Sequence, residues 1–227
     1  MSSAPPGVAA PSVVPILATP FGVVPVPEAG ALNARLLEIF NARAARAPGA
    51  STAADSLCYQ SRDDLFEWPE PEIATALRAL LGGVYSVVAS VNDFPAGQLE
   101  SFTAQARAWF TIVRPDGAVP SRILPLCSWC AVYCVAAPEH SSARRDSGAL
   151  RLYESRLGTM FCDATNSVMR LPYTPGHSSW RPVPGQLAVF PAYVMHEIAL
   201  LREQSPLVLV TMRVRFVAPG QAGWATW

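Results

Sequence analysis

The imidazoles and clustered thiols of this sequence invite a chemical reading first: His140, His177 and His196, and Cys127, Cys130 and Cys134 in a C-x-x-C-x-x-x-C run. Three imidazoles would suffice for a zinc-type centre. Pro138-Glu139 and Pro175-Gly176 are turn residues that would let the loops of His140 and His177 fold over a common mouth, but the spacing carries no metal signature. The thiols fail a simpler test. On a strand Cys127 and Cys130 face opposite sides, and Cys130 and Cys134 share a face about 13 Å apart. They do not make one tetrahedral site, and small core thiols are the expectation. All seventeen basic residues are arginine, which removes Schiff-base chemistry and a lysine general base.

These groups must be positioned by the elements around them. Leu32, Leu36, Ile39 and Phe40 recur at helical spacing between Pro27 and about Ala47, where Pro48-Gly49 ends the run. A second amphipathic helix begins near Pro71, with Ile73, Leu77, Leu80, Val84 and Val88 on one stripe and Gly82-Gly83 weakening its middle. Beyond residue 105 the texture changes to short β-rich runs separated by Pro, Gly and Ser. The strands expected are Ala108–Arg114, Ser128–Ala136, Ala149–Glu154, Gln186–Phe190 and Leu207–Val217. Helices followed by strands predict an α+β domain whose helices pack on one face of an antiparallel sandwich or barrel.

A hydrophobic fraction of 51% against 15% charged residues supplies a sizeable core. Seventeen basic residues balance seventeen acidic ones, so no global field recruits nucleic acid or an anionic membrane. Pro, Gly, Arg or Glu breaks each apolar run before it spans a bilayer, and the proline-rich start lacks a signal pattern. The expectation is a cytoplasmic protein with free thiols. It is read as a disordered tail over 1–12, one domain over 13–218 and a C-terminal tail over 219–227. Apolar content and the late tryptophans allow a homodimer.

Four segments, in order, resemble the Fe(II)/2-oxoglutarate oxygenases. They are Trp109-Phe110 through Pro115-Asp116-Gly117; Trp129-Cys130-Ala131-Val132-Tyr133-Cys134-Val135; Ser147-Gly148-Ala149-Leu150-Arg151-Leu152-Tyr153-Glu154-Ser155-Arg156; and Pro184-Gly185-Gln186-Leu187-Ala188-Val189-Phe190-Pro191 ending in His196-Glu197-Ile198. With the stretch around Trp68, the resemblance covers most of 13–217. It implies a double-stranded β-helix, of jelly-roll or cupin-like form, with buttressing N-terminal helices. It also implies a ferrous ion held by a proximal pair of ligands and a distal histidine, leaving open positions for the oxoacid and dioxygen.

His196 matches the distal ligand. The proximal positions fall on Arg122-Ile123-Leu124-Pro125, where arginine offers no lone pair and leucine offers no donor. The arginine that would clamp 2-oxoglutarate, about ten residues after the distal histidine, falls on Pro206 and Leu207, and Arg213 and Arg215 lie too far along the strand. The resemblance therefore implies an oxygenase-like fold with a degenerate metal site, and neither iron nor 2-oxoglutarate is the expected cofactor.

Three residues are the candidates for chemistry. Arg122 puts a permanent cation where the metal's charge would be and, if it points inward, binds a carboxylate or oxyanion; otherwise it reaches water or a surface carboxylate. His196 acts as acid or base near neutral pH, or only hydrogen-bonds inside the barrel mouth. Cys130 becomes a nucleophile if the neighbouring cation lowers its pKa, or else fills the core. Three functions stay open: a pocket repurposed to bind or transform a small organic acid or biosynthetic intermediate without iron; an active dioxygenase using Fe(II) and 2-oxoglutarate through an unusual ligand set; and a non-catalytic scaffold. A pocket of several hundred Å³ on Arg122 and His196 favours the first, and a barrel plugged by Leu124, Leu207 and Leu209 the third.

Overall fold

Strands whose two faces are both buried need apolar side chains at nearly every position, and the second half of the chain supplies three such runs, over 129–136, 186–191 and 207–212. The computed structural model describes residues 18–46, 57–139, 146–154, 169, 172–173 and 176–220. The proposed tail over 1–12, His140, residues 141–145 and residues 221–227 lie outside them. The elements are β1 (Gly22–Pro25), α1 (Ala29–Arg46), β2 (Cys58–Gln60), α2 (Pro71–Ser90), α3 (Gln98–Ser101), β3 (Thr103–Val113), β4 (Val119–Arg122), β5 (Trp129–Ala136), β6 (Leu150–Tyr153), β7 (His177–Trp180), β8 (Gln186–Pro191), β9 (His196–Ile198) and β10 (Leu207–Val217).

The strands form a six-stranded sheet in the order β1-β8-β5-β10-β3-β2 and a four-stranded sheet in the order β4-β9-β6-β7. All named pairings are antiparallel. From β3 to β10 the chain passes back and forth between the two sheets, which makes a double-stranded β-helix with N-terminal helices on its outside. The fold is α+β, as the sequence implied.

Alternation along each central strand sends residues into two separate cores. On β5, Ala131, Tyr133 and Val135 face the helices, whereas Cys130, Val132 and Cys134 face the smaller sheet. β10 divides in the same way, with Val208, Val210, Met212 and Val214 on the helix side and Leu207 and Leu209 on the barrel side.

The helices cover the larger sheet. Phe40 of α1 stacks on Phe110 of β3 with ring centroids 4.2 Å apart. Gly83 lets α2 approach β8 closely, since a Cβ there would lie 2.6 Å from Leu187 Cδ2. Of the glycine pair that weakens the helix, Gly83 therefore serves its packing, whereas Gly82 has open space around it. α2 is long and apolar enough to cross a membrane by length and composition, but its stripe of Ile73, Leu77, Leu80, Val84 and Val88 is buried in the core shared with this sheet.

One expectation changes. Strands β1 and β2 precede or separate the helices instead of following them, and both add to edges of the larger sheet. Cys127 lies before β5, outside the strand, with its Sγ–H donating to the Leu124 carbonyl at 3.2 Å.

One buried polar contact ties α1 to the sheet: the Tyr133 hydroxyl donates to Asn33 Oδ1 at 2.6 Å, and both residues are buried. Tyr133→Phe leaves that oxygen without a partner and is expected to lower unfolding stability by about 1–2 kcal/mol, measured by urea denaturation. An unchanged midpoint would show that the contact contributes nothing.

Candidate functional site in the barrel

β4 is an edge strand, and its irregularity sets the site. Val119 pairs with Ile198 and Arg122 with His196, with a register shift between the two pairs. Both Val119 and Arg122 border the interior although they are three positions apart in the chain. A regular strand would send them to opposite faces, and the bulge is what turns Arg122 inward. On β9, His196 and Ile198 face in by ordinary alternation.

Arg122 donates from Nη1 to Gln60 Oε1 at 2.9 Å, and its guanidinium carbon lies 5.3 Å from the centroid of a Trp109 ring. Its Nε has no hydrogen-bond partner, and among the described residues no carboxylate pairs with it. Burial lowers its pKa from the usual arginine value, but a guanidinium remains charged.

His196 is buried, and its Nδ1 lies 2.9 Å from the Val194 carbonyl oxygen. Nδ1 therefore carries the proton and donates it, which leaves Nε2 as a lone-pair acceptor. Nε2 has no partner. Burial depresses the His196 pKa below its usual value and the Arg122 charge depresses it further, against the bond to Val194.

The two side chains border one cavity with Thr111 of β3, Thr211 of β10 and apolar neighbours that include Val132 and Leu209. Its volume is about 10 Å³, room for about one water-sized group. Thr111 Oγ1 and the nearby Trp109 Nε1 are also buried without partners. Thr111, Gln60 and Trp109 were not singled out as site residues. The signal available was a threonine at an inward position of β3 and another at an inward position of β10, each within an apolar run.

The remaining candidates separate. Cys130 lies in the barrel core, and burial raises its thiol pKa far above the usual range, outweighing the lowering by Arg122. Burial likewise pushes Cys134 up to about 12, and Cys127 is raised to about 11. A protonated, enclosed thiol is a poor nucleophile, so Cys130 enters the chemistry below only as packing. His177 pairs with Tyr153 while His196 pairs with Leu152, the adjacent residue of β6. Neighbouring rows point to opposite faces, so His177 and His196 do not share a site.

Leu124 and Leu207 are both in the barrel core. Arg213 Nη2 donates to Asp63 Oδ2 at 2.7 Å, and Arg215 Nε donates to Gln105 Oε1 at 3.0 Å. A larger surface cavity of about 570 Å³, bordered by Glu139, Arg202 and Glu203, involves none of the predicted residues.

The chain matches no protein-family model and no curated protein. Solved structures do match. A Pseudomonas putida prolyl-4-hydroxylase is 14% identical, over 86% of this chain and 91% of that one, with a TM-score of 0.54. HygX from Streptomyces hygroscopicus, solved with nickel and 2-oxoglutarate bound, is 13% identical over 92% and 86%, with a TM-score of 0.56. The non-heme alpha-ketoglutarate-dependent carbocyclase SnoK from nogalamycin biosynthesis is 8% identical over 86% and 78%, with a TM-score of 0.59. At these identities the likeness is one of fold: this chain has the double-stranded β-helix of the Fe(II)/2-oxoglutarate oxygenases.

Among the described residues, the side chains at the cavity do not by themselves supply the donor set of the ferrous ion that this fold family implies. Arg122 lies cross-strand from His196, Nε2 of His196 is the one imidazole nitrogen without a partner at the cavity among the described residues, and those residues contain no group of three His, Cys, Asp or Glu able to hold a metal.

The depressed His196 pKa has a signed consequence. The folded state binds this proton more weakly than the unfolded chain, so the contribution of His196 to stability is complete above about pH 6.5 and is lost as pH falls through the lower folded value. Wild type is expected to lose more stability between pH 7 and 5 than His196→Gln, by at most about 1.4 kcal/mol per pH unit. Thermal unfolding across that range checks this, and parallel pH profiles would contradict it.

Proposed function

We propose that this chain is an iron-independent protein on the oxygenase fold, which binds a small organic acid at the Arg122–His196 end of the barrel. The observation that carries the reading is the cross-strand pairing of Arg122 with His196 around one cavity. It puts a permanent cation beside the histidine that the resemblance matches to the distal iron ligand. Two cations do not share such a space without strong repulsion, so Arg122 takes over the electrostatic role of the metal.

A carboxylate is the natural partner of a guanidinium that has no acidic neighbour. His196, neutral and with Nε2 free, is the group placed to accept a proton from whatever is bound. Balanced net charge and the inward position of the site suit a small molecule better than nucleic acid or membrane.

A second reading has its own support. Leu124, Leu207 and Leu209 are all in the barrel core and the cavity is only about 10 Å³, which favours a filled barrel that works through its surface. An active dioxygenase with a displaced ligand set would instead have to recruit donors from outside the described residues.

Cobalt(II) added anaerobically in place of Fe(II) reports ligation through its visible d–d bands. Wild type is expected to show none, with or without 2-oxoglutarate. Arg122→His combined with Leu124→Asp gives the barrel a histidine and a carboxylate opposite His196 and is expected to gain one bound metal, with Arg122→His alone as the variant that preserves the core. Stoichiometric metal binding by wild type would overturn the iron-free reading.

A further inference from the structure

Three buried polar atoms at the cavity lack partners, and their chemistry is not uniform. Arg122 Nε–H is a charged donor, Thr111 Oγ1 both donates and accepts, and His196 Nε2 is an acceptor because Nδ1 is committed to Val194. Thr111 and His196 are almost wholly buried, at 2% and 4% exposure. Leaving such groups unsatisfied costs folding energy, and no other side chain in the described structure meets them.

A simple carboxylate answers only part of this set. It accepts from Arg122 and Thr111 but sets its negative oxygens against the lone pair of His196. A ligand that carries its own hydroxyl resolves the conflict by donating to Nε2 while its carboxylate accepts from the guanidinium. The volume limits its size. About 10 Å³ admits one oxygen-sized group, so the hydroxyl enters between the sheets and the carboxylate lies along the half-buried Arg122.

We propose that the cavity is a binding site for the smallest hydroxylated oxyanions, the class of bicarbonate and two-carbon hydroxy acids, anchored by Arg122 and Thr111 and selected for the hydroxyl by His196. This rests on the iron-free reading and narrows its ligand class.

Glycolate and acetate differ by that hydroxyl and make the discriminating pair. Calorimetric titration at pH 7, fixed ionic strength and excess EDTA is expected to show glycolate binding about tenfold more tightly than acetate, as one hydrogen bond to a buried acceptor gives. Chloride is expected not to compete. The preference should fall to near unity in His196→Leu, and glycolate binding should be lost in Arg122→Gln. Thr111→Val, nearly isosteric, should weaken it several-fold and covers the case in which the arginine variant does not fold.

Equal affinities for the two acids in wild type, competition by chloride, no binding at all, or binding indifferent to both Arg122→Gln and Thr111→Val would each overturn the proposal while leaving the iron-free reading intact. Glycolate or 2-oxoglutarate binding that appears only when Fe(II) replaces EDTA would overturn the iron-free reading itself.

Discussion

Everything in this molecule is arranged around the burial of β10 on both edges and both faces. It pairs with β3 along its whole length, from Leu207↔Val113 to Val217↔Thr103, and with β5 on its other edge. Its even-numbered residues from Val208 to Val214 face the helices, and Leu207 and Leu209 face the barrel. A strand so enclosed has no water to satisfy its backbone, so its register must be right for either core to form. The helices on one side and the smaller sheet on the other are thus held in fixed relation.

That rigidity gives the electrostatics of the barrel their force. A guanidinium brought to the barrel mouth loses part of its hydration, and Gln60 and the Trp109 ring compensate only in part, since neither carries charge. The same low-dielectric surroundings act in opposite senses on their titratable neighbours. They hold His196 neutral by disfavouring its cation and hold Cys130 protonated by disfavouring its thiolate. Among the described residues these surroundings leave His196 Nε2 without a partner beside a guanidinium that no carboxylate pairs.

The four segments that resemble the oxygenases survive as scaffold: they supply β3, β5, β6, β8 and β9, the strands that build the barrel and carry His196. The positions where the resemblance expects metal donors and an oxoacid clamp fall on Arg122 at the end of β4, Leu124 just beyond it, and Leu207 at the start of β10. Fold and chemistry are separable here because the barrel is stabilised by its two apolar cores, not by its mouth.

The sequence by itself determined the long elements and their order. β5, β8 and β10 were legible as unbroken apolar runs, and α1 and α2 as stripes at helical spacing, because local alternation and burial reinforce each other there. β1, β2, β4, β7 and β9 were not legible, since strands of three or four residues carry little pattern and β7 is mostly exposed; β6, equally short, was legible from the run Ala149–Glu154. β3 was recognised but placed five residues late, its opening turns of pleat being only partly buried. The identities at positions 122, 124 and 196 were also plain from the sequence. Only the tertiary structure decided that Arg122 points inward, because a bulge between Val119 and Arg122 overrides strand parity. Only it decided that Thr111 and His196 line one cavity, because that placement comes from packing one sheet against the other and leaves no trace in the spacing along the chain.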